Sequence, residues 1–97
     1  MTYLIRFKKS AQREWNNLTP FLKEMFQKKL REISVNPHIP KNKLRGMPNC
    51  YKIKVMRPPY RLVYKVEDLY LTIEVIVVGR RDKNKVYENA FDRGTVV

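Results

Sequence analysis

Lysine, arginine and tyrosine recur through the second half of this chain in short groups: Tyr51-Lys52-Ile53-Lys54, Pro59-Tyr60-Arg61-Leu62-Val63-Tyr64, Gly79-Arg80-Arg81 and then Tyr87. No metal box, catalytic carboxylate pair or nucleotide loop accompanies them. Any chemistry must be done by ammonium, guanidinium and phenol groups, which hold phosphates, stabilise negative charge and stack on bases. That combination suits RNA. The composition agrees, because 21 Lys and Arg against 9 Asp and Glu give a formal net charge of +12, an excess that favours polyanions. Charge alone does not distinguish binding from cleavage, and it also aids solubility.

The elements that must position these groups are legible in the spacing. With 97 residues the chain is expected to be one domain, residues 1–97, with a single modest core and a frayed tail over residues 94–97. Residues 2–7 alternate Tyr3, Ile5 and Phe7 against Thr2, Leu4 and Arg6 and read as a strand. Ser10 is placed to cap a short helix carrying Ala11, Trp15 and Leu18, and Thr19-Pro20 restarts the chain as N-cap and first-turn proline. A longer helix follows, with Leu22, Met25, Phe26, Leu30 and Ile33 on one face and Asn36-Pro37 ending it. The two helices form an αα-hairpin. From Pro37 to Asn49, prolines and Gly46 preclude regular structure and put Lys41, Lys43 and Arg45 on an exposed loop.

Cys50 to Met56 alternates again, with Tyr51, Ile53 and Val55 on one face and Lys52 and Lys54 on the other. An Arg57-Pro58-Pro59-Tyr60 turn returns a strand from Arg61 to Val66; a four-residue turn there sets Met56 opposite Arg61 and Lys54 opposite Val63, so that Arg61 joins the lysine face. Leu71 to Val78 is apolar at every position of Val75-Ile76-Val77-Val78, the pattern of a central strand covered on both faces, with Arg80 and Arg81 emerging at its end. Asp82 caps a last helix from about Lys83 to Asp92. The fold class is α+β: a small, antiparallel-dominated sheet with an N-terminal αα-hairpin and a C-terminal helix.

Leu44-Arg45-Gly46-Met47-Pro48, Cys50 to Lys54, Tyr60 to Tyr64, and Gly79-Arg80-Arg81 through Val86-Tyr87 resemble the RelE family of bacterial toxins, nearly end to end. The resemblance implies a ribosome-dependent endoribonuclease of a type II toxin–antitoxin system that cuts messenger RNA in the ribosomal A site without metal or cofactor. Carried over by position, it implies a catalytic set of Lys52, Lys54, Arg61, Arg81 and Tyr87, with Arg45 a contact to ribosomal RNA; Lys41, Lys43 and Arg80 extend that basic contact surface. It also implies a RelB-like antitoxin, through which alone operator DNA would be bound. Departures are peripheral: the Arg57-Pro58-Pro59 turn, Arg80 where lysine is frequent, and the tail after Arg93.

Such a set permits one reaction in particular. The 2′-hydroxyl of RNA can attack the adjacent phosphate and expel the 5′-oxygen if one group removes the 2′ proton, one stabilises the phosphorane and one protonates the leaving oxygen. Lysine beside other cations is disfavoured as ammonium, so Lys54 is the candidate base and Lys52 its neighbour and phosphate contact. Arg61 fits charge stabilisation, Arg81 acts as acid or stabiliser, and Tyr87 can stack on a codon base. Each has a plainer alternative: a solvated strand face for the lysines, a strand-end cation for Arg81, a packed helix tyrosine for Tyr87. Tyr51, Tyr60 and Tyr64 read as core or rim, and Cys50 as packing. His38, the only histidine, reads as a surface residue.

Other classes remain open. A non-catalytic toxin of the same superfamily, like the gyrase poison ParE, would not need this set; a plain nucleic-acid-binding module would use its cations only against phosphates. No basic amphipathic helix and no apolar run near the roughly 20 residues of a membrane span is present, so no membrane role is expected. The single cysteine excludes an intramolecular disulfide and residues 1–6 lack a signal peptide's apolar core and cleavage site, so the cytoplasm is the expected location.

Overall fold

Alternating apolar residues at the start of the chain build a short strand, β1 (Leu4–Phe7), and the chain passes from it directly into α1 (Lys9–Asn16). The computed structural model describes residues 2–81 and 85–95, with the side chains of the last helix described as far as Arg93. Ser10 is not the cap of α1. Lys8 occupies that position without a side-chain cap, since an ammonium has no acceptor to offer; its N–H is held by Val75 O at 3.0 Å and its carbonyl accepts from Gln12 N at 2.8 Å, which opens the helical ladder.

Thr19 does cap α2 (Pro20–Ile33), its Oγ1 accepting from Leu22 N at 3.3 Å with Pro20 in the first turn. Leu22, Phe26 and Leu30 are buried along one stripe, and Met25 and Ile33 flank them. In the following loop Pro40–Asn42 forms a 3-10 turn, and Lys43 makes an isolated antiparallel bridge to Tyr51, so this basic segment is more regular than its prolines suggest. Gly46, at φ 73°, takes a left-handed conformation that suits glycine.

The remaining strands are β2 (Cys50–Val55), β3 (Tyr60–Glu67) and β4 (Thr72–Arg80), in the order β1-β4-β3-β2, with β1 parallel to β4 and the other pairs antiparallel. The turn between β2 and β3 spans Met56 to Pro59, one residue earlier than the sequence pattern places it. Val55 therefore opposes Tyr60, and Lys54 opposes Arg61 rather than Val63. Moving a four-residue turn by one position shifts the pairing by two, and strand faces repeat every two residues, so Arg61 still shares the lysine face.

β4 is the inner strand expected from its composition: Val75, Ile76, Val77 and Val78 are all at most 2% exposed. On one face of the sheet α1 and α2 pack through Ala11, Trp15, Leu22, Phe26 and Leu30 against Ile53, Leu62, Tyr64 and Val75. On the other, α3 (Lys85–Thr95) packs Val86 and Ala90 against Val63, Ile76 and Val77, with Met47 and Cys50 beside them. The expected Asp82 cap and the Lys83 start lie outside the described residues. The helix continues past Asp92 through Gly94 and Thr95. Among the described residues no helix is long and apolar enough to cross a membrane.

Candidate functional site

The second face of the sheet carries the cations. Lys52 and Lys54 alternate with the buried Tyr51, Ile53 and Val55 along β2, which places both on the side opposite α1 and α2. Lys54 is opposite Arg61 on β3, and Arg61 is opposite Gly79 on β4. Lysine, arginine and glycine thus form one row across three strands. Gly79 contributes no side chain to that row, and a Cβ there would rest 3.7 Å from Val86.

Arg61 is the unusual member. It is only 5% exposed, its Nη1 donating to Val55 O at 3.2 Å and to Tyr60 O at 3.0 Å. Its Nε is buried with no acceptor among the described residues. A buried charge costs free energy unless it is hydrogen-bonded, and here the two carbonyls supply that compensation. The carbonyls fix the guanidinium at the root of the β2–β3 turn.

Arg81 follows the last residue of β4 and is exposed, while its backbone N–H donates to Pro59 O at 2.8 Å. This bond carries the β3–β4 pairing one step past Tyr60 and Arg80 and pins the backbone of Arg81 beside the same turn. Among the described residues, Lys52, Lys54 and Arg81 have no acidic partner, so this edge presents uncompensated positive charge.

Tyr87 is half-buried, packed against the core cluster beneath α3. With Leu44, Arg45, Met47, Glu88, Phe91 and Asp92 it lines a hollow of about 450 Å³, which brings Tyr87 and Arg45 together across the start of β2. Its ring serves the packing role and faces open space at once. Lys41 lines a second hollow, about 470 Å³, with Lys54, Lys29, the acidic Glu32, Asn42 and the apolar Ile33, Ile39 and Ile53. Lys43 is exposed, held by its backbone bridge to Tyr51. Arg80 stands apart, lining a hollow with Glu14, Lys85 and Asn89 at the junction of α1, β4 and α3, two strands from β2.

The tyrosines and the cysteine of the sheet are packing groups. Tyr51 and Tyr64 are buried and stacked with ring centroids 5.5 Å apart, and burial raises the phenol pKa of both. Burial likewise pushes the Cys50 thiol up, away from a nucleophilic thiolate. His38 is more than a surface residue: both ring nitrogens are engaged, Nδ1 with Tyr51 Oη at 2.9 Å and Nε2 with Asp68 Oδ1 at 2.8 Å. Sequence spacing carries no signal for that network, nor for the burial of Arg61. Among the described residues, no three His, Cys, Asp or Glu side chains come together as a metal site would need.

A family model described as the ParE toxin of the type II toxin–antitoxin system parDE matches residues 5–85. The mRNA interferase toxin RelE of Escherichia coli strain K12 is 45% identical over 93 residues, which are 96% of this chain and 98% of that protein. The mRNA interferase RelE of Shigella flexneri matches equally well. Among solved structures, a mutant of E. coli toxin RelE in the free state superposes with a TM-score of 0.89 at 44% identity, covering 96% of this chain and 98% of the other. The toxin in the intact E. coli RelBE toxin–antitoxin complex gives 0.81, also at 44% identity, over 84% of this chain and 99% of the other.

Proposed function

This chain belongs to the ParE toxin family of type II toxin–antitoxin systems, and from that membership and its near-full-length similarity to mRNA interferases we propose that it is a ribosome-dependent endoribonuclease toxin. Its substrate is messenger RNA in the ribosomal A site. A RelB-like antitoxin holds it inactive, and its place of action is the cytoplasm, where the ribosomes are. Operator DNA is reached only through the antitoxin.

One observation carries the chemistry: Arg61, held by two carbonyls, lies directly opposite Lys54 on the face that also bears Lys52. A scissile phosphate is seated against this row of cations. Lys54, as the free amine, takes the proton of the 2′-hydroxyl while a new bond forms from O2′ to phosphorus. Lys52 holds a phosphate oxygen, and Arg61 stabilises the charge that accumulates on the phosphorane. The bond from phosphorus to O5′ breaks, and Arg81 either protonates the departing alkoxide or stabilises it until water supplies the proton. The products are a 2′,3′-cyclic phosphate and a free 5′-hydroxyl. Tyr87 stacks on a codon base and Arg45, Lys41 and Lys43 hold surrounding RNA.

These groups do not by themselves align a flexible strand for in-line attack. The ribosome supplies that alignment, which can account for a large share of the barrier. The test is primer extension on message in programmed ribosomes with an empty A site, in the presence of a chelator. A codon-positioned cut that persists in chelator and is lost with Arg81→Ala is the expected result. Equal cutting of free RNA removes the role given to the ribosome, and no cutting by the intact protein rejects the proposal.

A further inference from the structure

His38 closes a circuit that the proposed reaction does not use. The Tyr64 hydroxyl donates to Pro37 O at 2.8 Å, the Tyr64 ring stacks on Tyr51, and Tyr51 Oη meets His38 Nδ1, one residue from where the circuit began. The imidazole stands edge-on to Tyr51, with ring centroids 5.7 Å apart. Its other nitrogen reaches Asp68 between β3 and β4, and the same Asp68 oxygen accepts from the Tyr3 hydroxyl at 2.7 Å. The ring therefore joins the loop itself to β2 and to the β3–β4 connection, and the segment before β1 is attached one step further on, through Asp68.

The hydrogen positions follow from the partners. Bonds from His38 and Tyr3 hold the Asp68 carboxyl below its usual range, so it is ionised near neutrality and can only accept. Nε2 of His38 must carry the hydrogen, which in the neutral ring leaves Nδ1 to accept from the Tyr51 hydroxyl. Every group in the chain of contacts is then satisfied.

The held segment leads into the basic loop. Beyond His38 the backbone is fixed by Asn42 N to Ile39 O, Lys43 N to Pro40 O and Leu44 N to Cys50 O, so the loop is tied to β2 at its far end and to His38 at its near end. Tyr51 is gripped at both points, by His38 on its side chain and by the Lys43 bridge on its backbone, immediately before Lys52. We propose that His38 is a positioning residue that fixes the loop bearing Lys41, Lys43 and Arg45 against the sheet, so that these cations meet ribosomal RNA as a preformed surface.

This inference rests on the reading of that loop as an RNA contact. It places the effect in binding, because an unfastened loop must be ordered when RNA arrives while the Lys54–Arg61 pair is left in place. His38→Ala is expected to raise the toxin concentration for half-maximal cleavage of programmed ribosomes by about tenfold, with the maximal rate within about twofold. His38→Gln restores the low value, since its amide offers one acceptor and one donor to the same two partners. An unchanged half-maximal concentration in His38→Ala, a fall in maximal rate alone, or equal failure of the Gln variant overturns the proposal.

Should His38→Ala not fold, Tyr51→Phe deletes a single hydroxyl and must give the same rise. Amide hydrogen exchange on the free toxin provides a readout that does not depend on cleavage. The amides of Asn42, Lys43 and Leu44 should exchange faster in Tyr51→Phe, and unchanged protection there rejects the clamp. Failure of the intact protein to cut any message, with the exchange result obtained, rejects the ribonuclease reading and leaves the clamp standing.

Discussion

Arg93 and Glu14 meet in a two-point ion pair, Nη1 to Oε1 at 2.9 Å and Nη2 to Oε2 at 3.1 Å, that ties the last helix to the first. Both partners also bind β4: Glu14 Oε1 accepts from Val78 N at 3.1 Å, and Arg93 Nη1 donates to Ile76 O at 2.9 Å. The pair is thus a knot of α1, β4 and α3, the helix that carries Tyr87.

Breaking this knot from either side should cost more than an exposed ion pair would. Arg93→Met and Glu14→Gln are each expected to lower stability by ~1–3 kcal/mol, because backbone groups lose partners along with the charges. The two changes together should cost less than their sum, with a coupling of ~1 kcal/mol or more in urea denaturation. Additive losses would mean that the two side chains act separately.

Arg61 and Arg81 should separate on stability while agreeing on activity. Arg81 exposes its side chain and Arg61 buries it, so Arg81→Ala is expected to leave stability within ~0.5 kcal/mol and Arg61→Ala to cost ~1–3 kcal/mol. Cleavage on ribosomes should fall ~100-fold or more in both. Arg61→Lys should not recover it, since a compact ammonium cannot reproduce the planar guanidinium that both carbonyls hold.

Acid should erase the contribution of Asp68. Its folded pKa lies below the unfolded value near 3.9, so its stabilisation is complete above about pH 4 and disappears as pH falls through the folded value. Asp68→Asn should be the less stable protein at pH 6, with the gap to the parent closing as pH falls through the folded value. Thermal melts across that range give the comparison, and a constant gap would contradict the carboxylate's role.

Tyr64→Phe should test the buried hydroxyl alone. The ring keeps its packing while the Pro37 carbonyl loses its donor, for an expected loss of ~1–2 kcal/mol. The raised phenol pKa adds an alkaline counterpart: the stabilisation is present below the unfolded value near 10 and is lost as pH climbs towards the folded one, so the gap to Tyr64→Phe should narrow at high pH.

How much of the fold and site is readable from the sequence varies with the range of the interaction. The Thr19-Pro20 start, the Leu22-Phe26-Leu30 stripe and the all-apolar Val75–Val78 run are local patterns, and each produces the element it implies. The grouping of Lys52, Lys54 and Arg61 on one face also follows from alternation, although the pairing partner of Lys54 does not, because one residue of turn placement lies below what spacing resolves. Ser10 fails as a cap since the strand has already fixed the backbone before it. The Arg61 bond to Val55, the His38 contacts and the Glu14–Arg93 pair join residues 6 to 79 positions apart, so neither periodicity nor composition reports them. The roles of the site residues come from resemblance to a family, which alternation can only make geometrically consistent.

β1 is paired with β4 only as far as Phe7 and Val75, so the far half of the most hydrophobic strand has no strand beside it on that side. A bare edge there would be a template for the strands of other molecules, and the Val75–Val78 segment has the composition that aggregates. Lys8 N covers Val75 O, and the Glu14 carboxylate occupies Val78 N. The first helix therefore works as a chaperone built into the chain, denying that edge to intermolecular pairing.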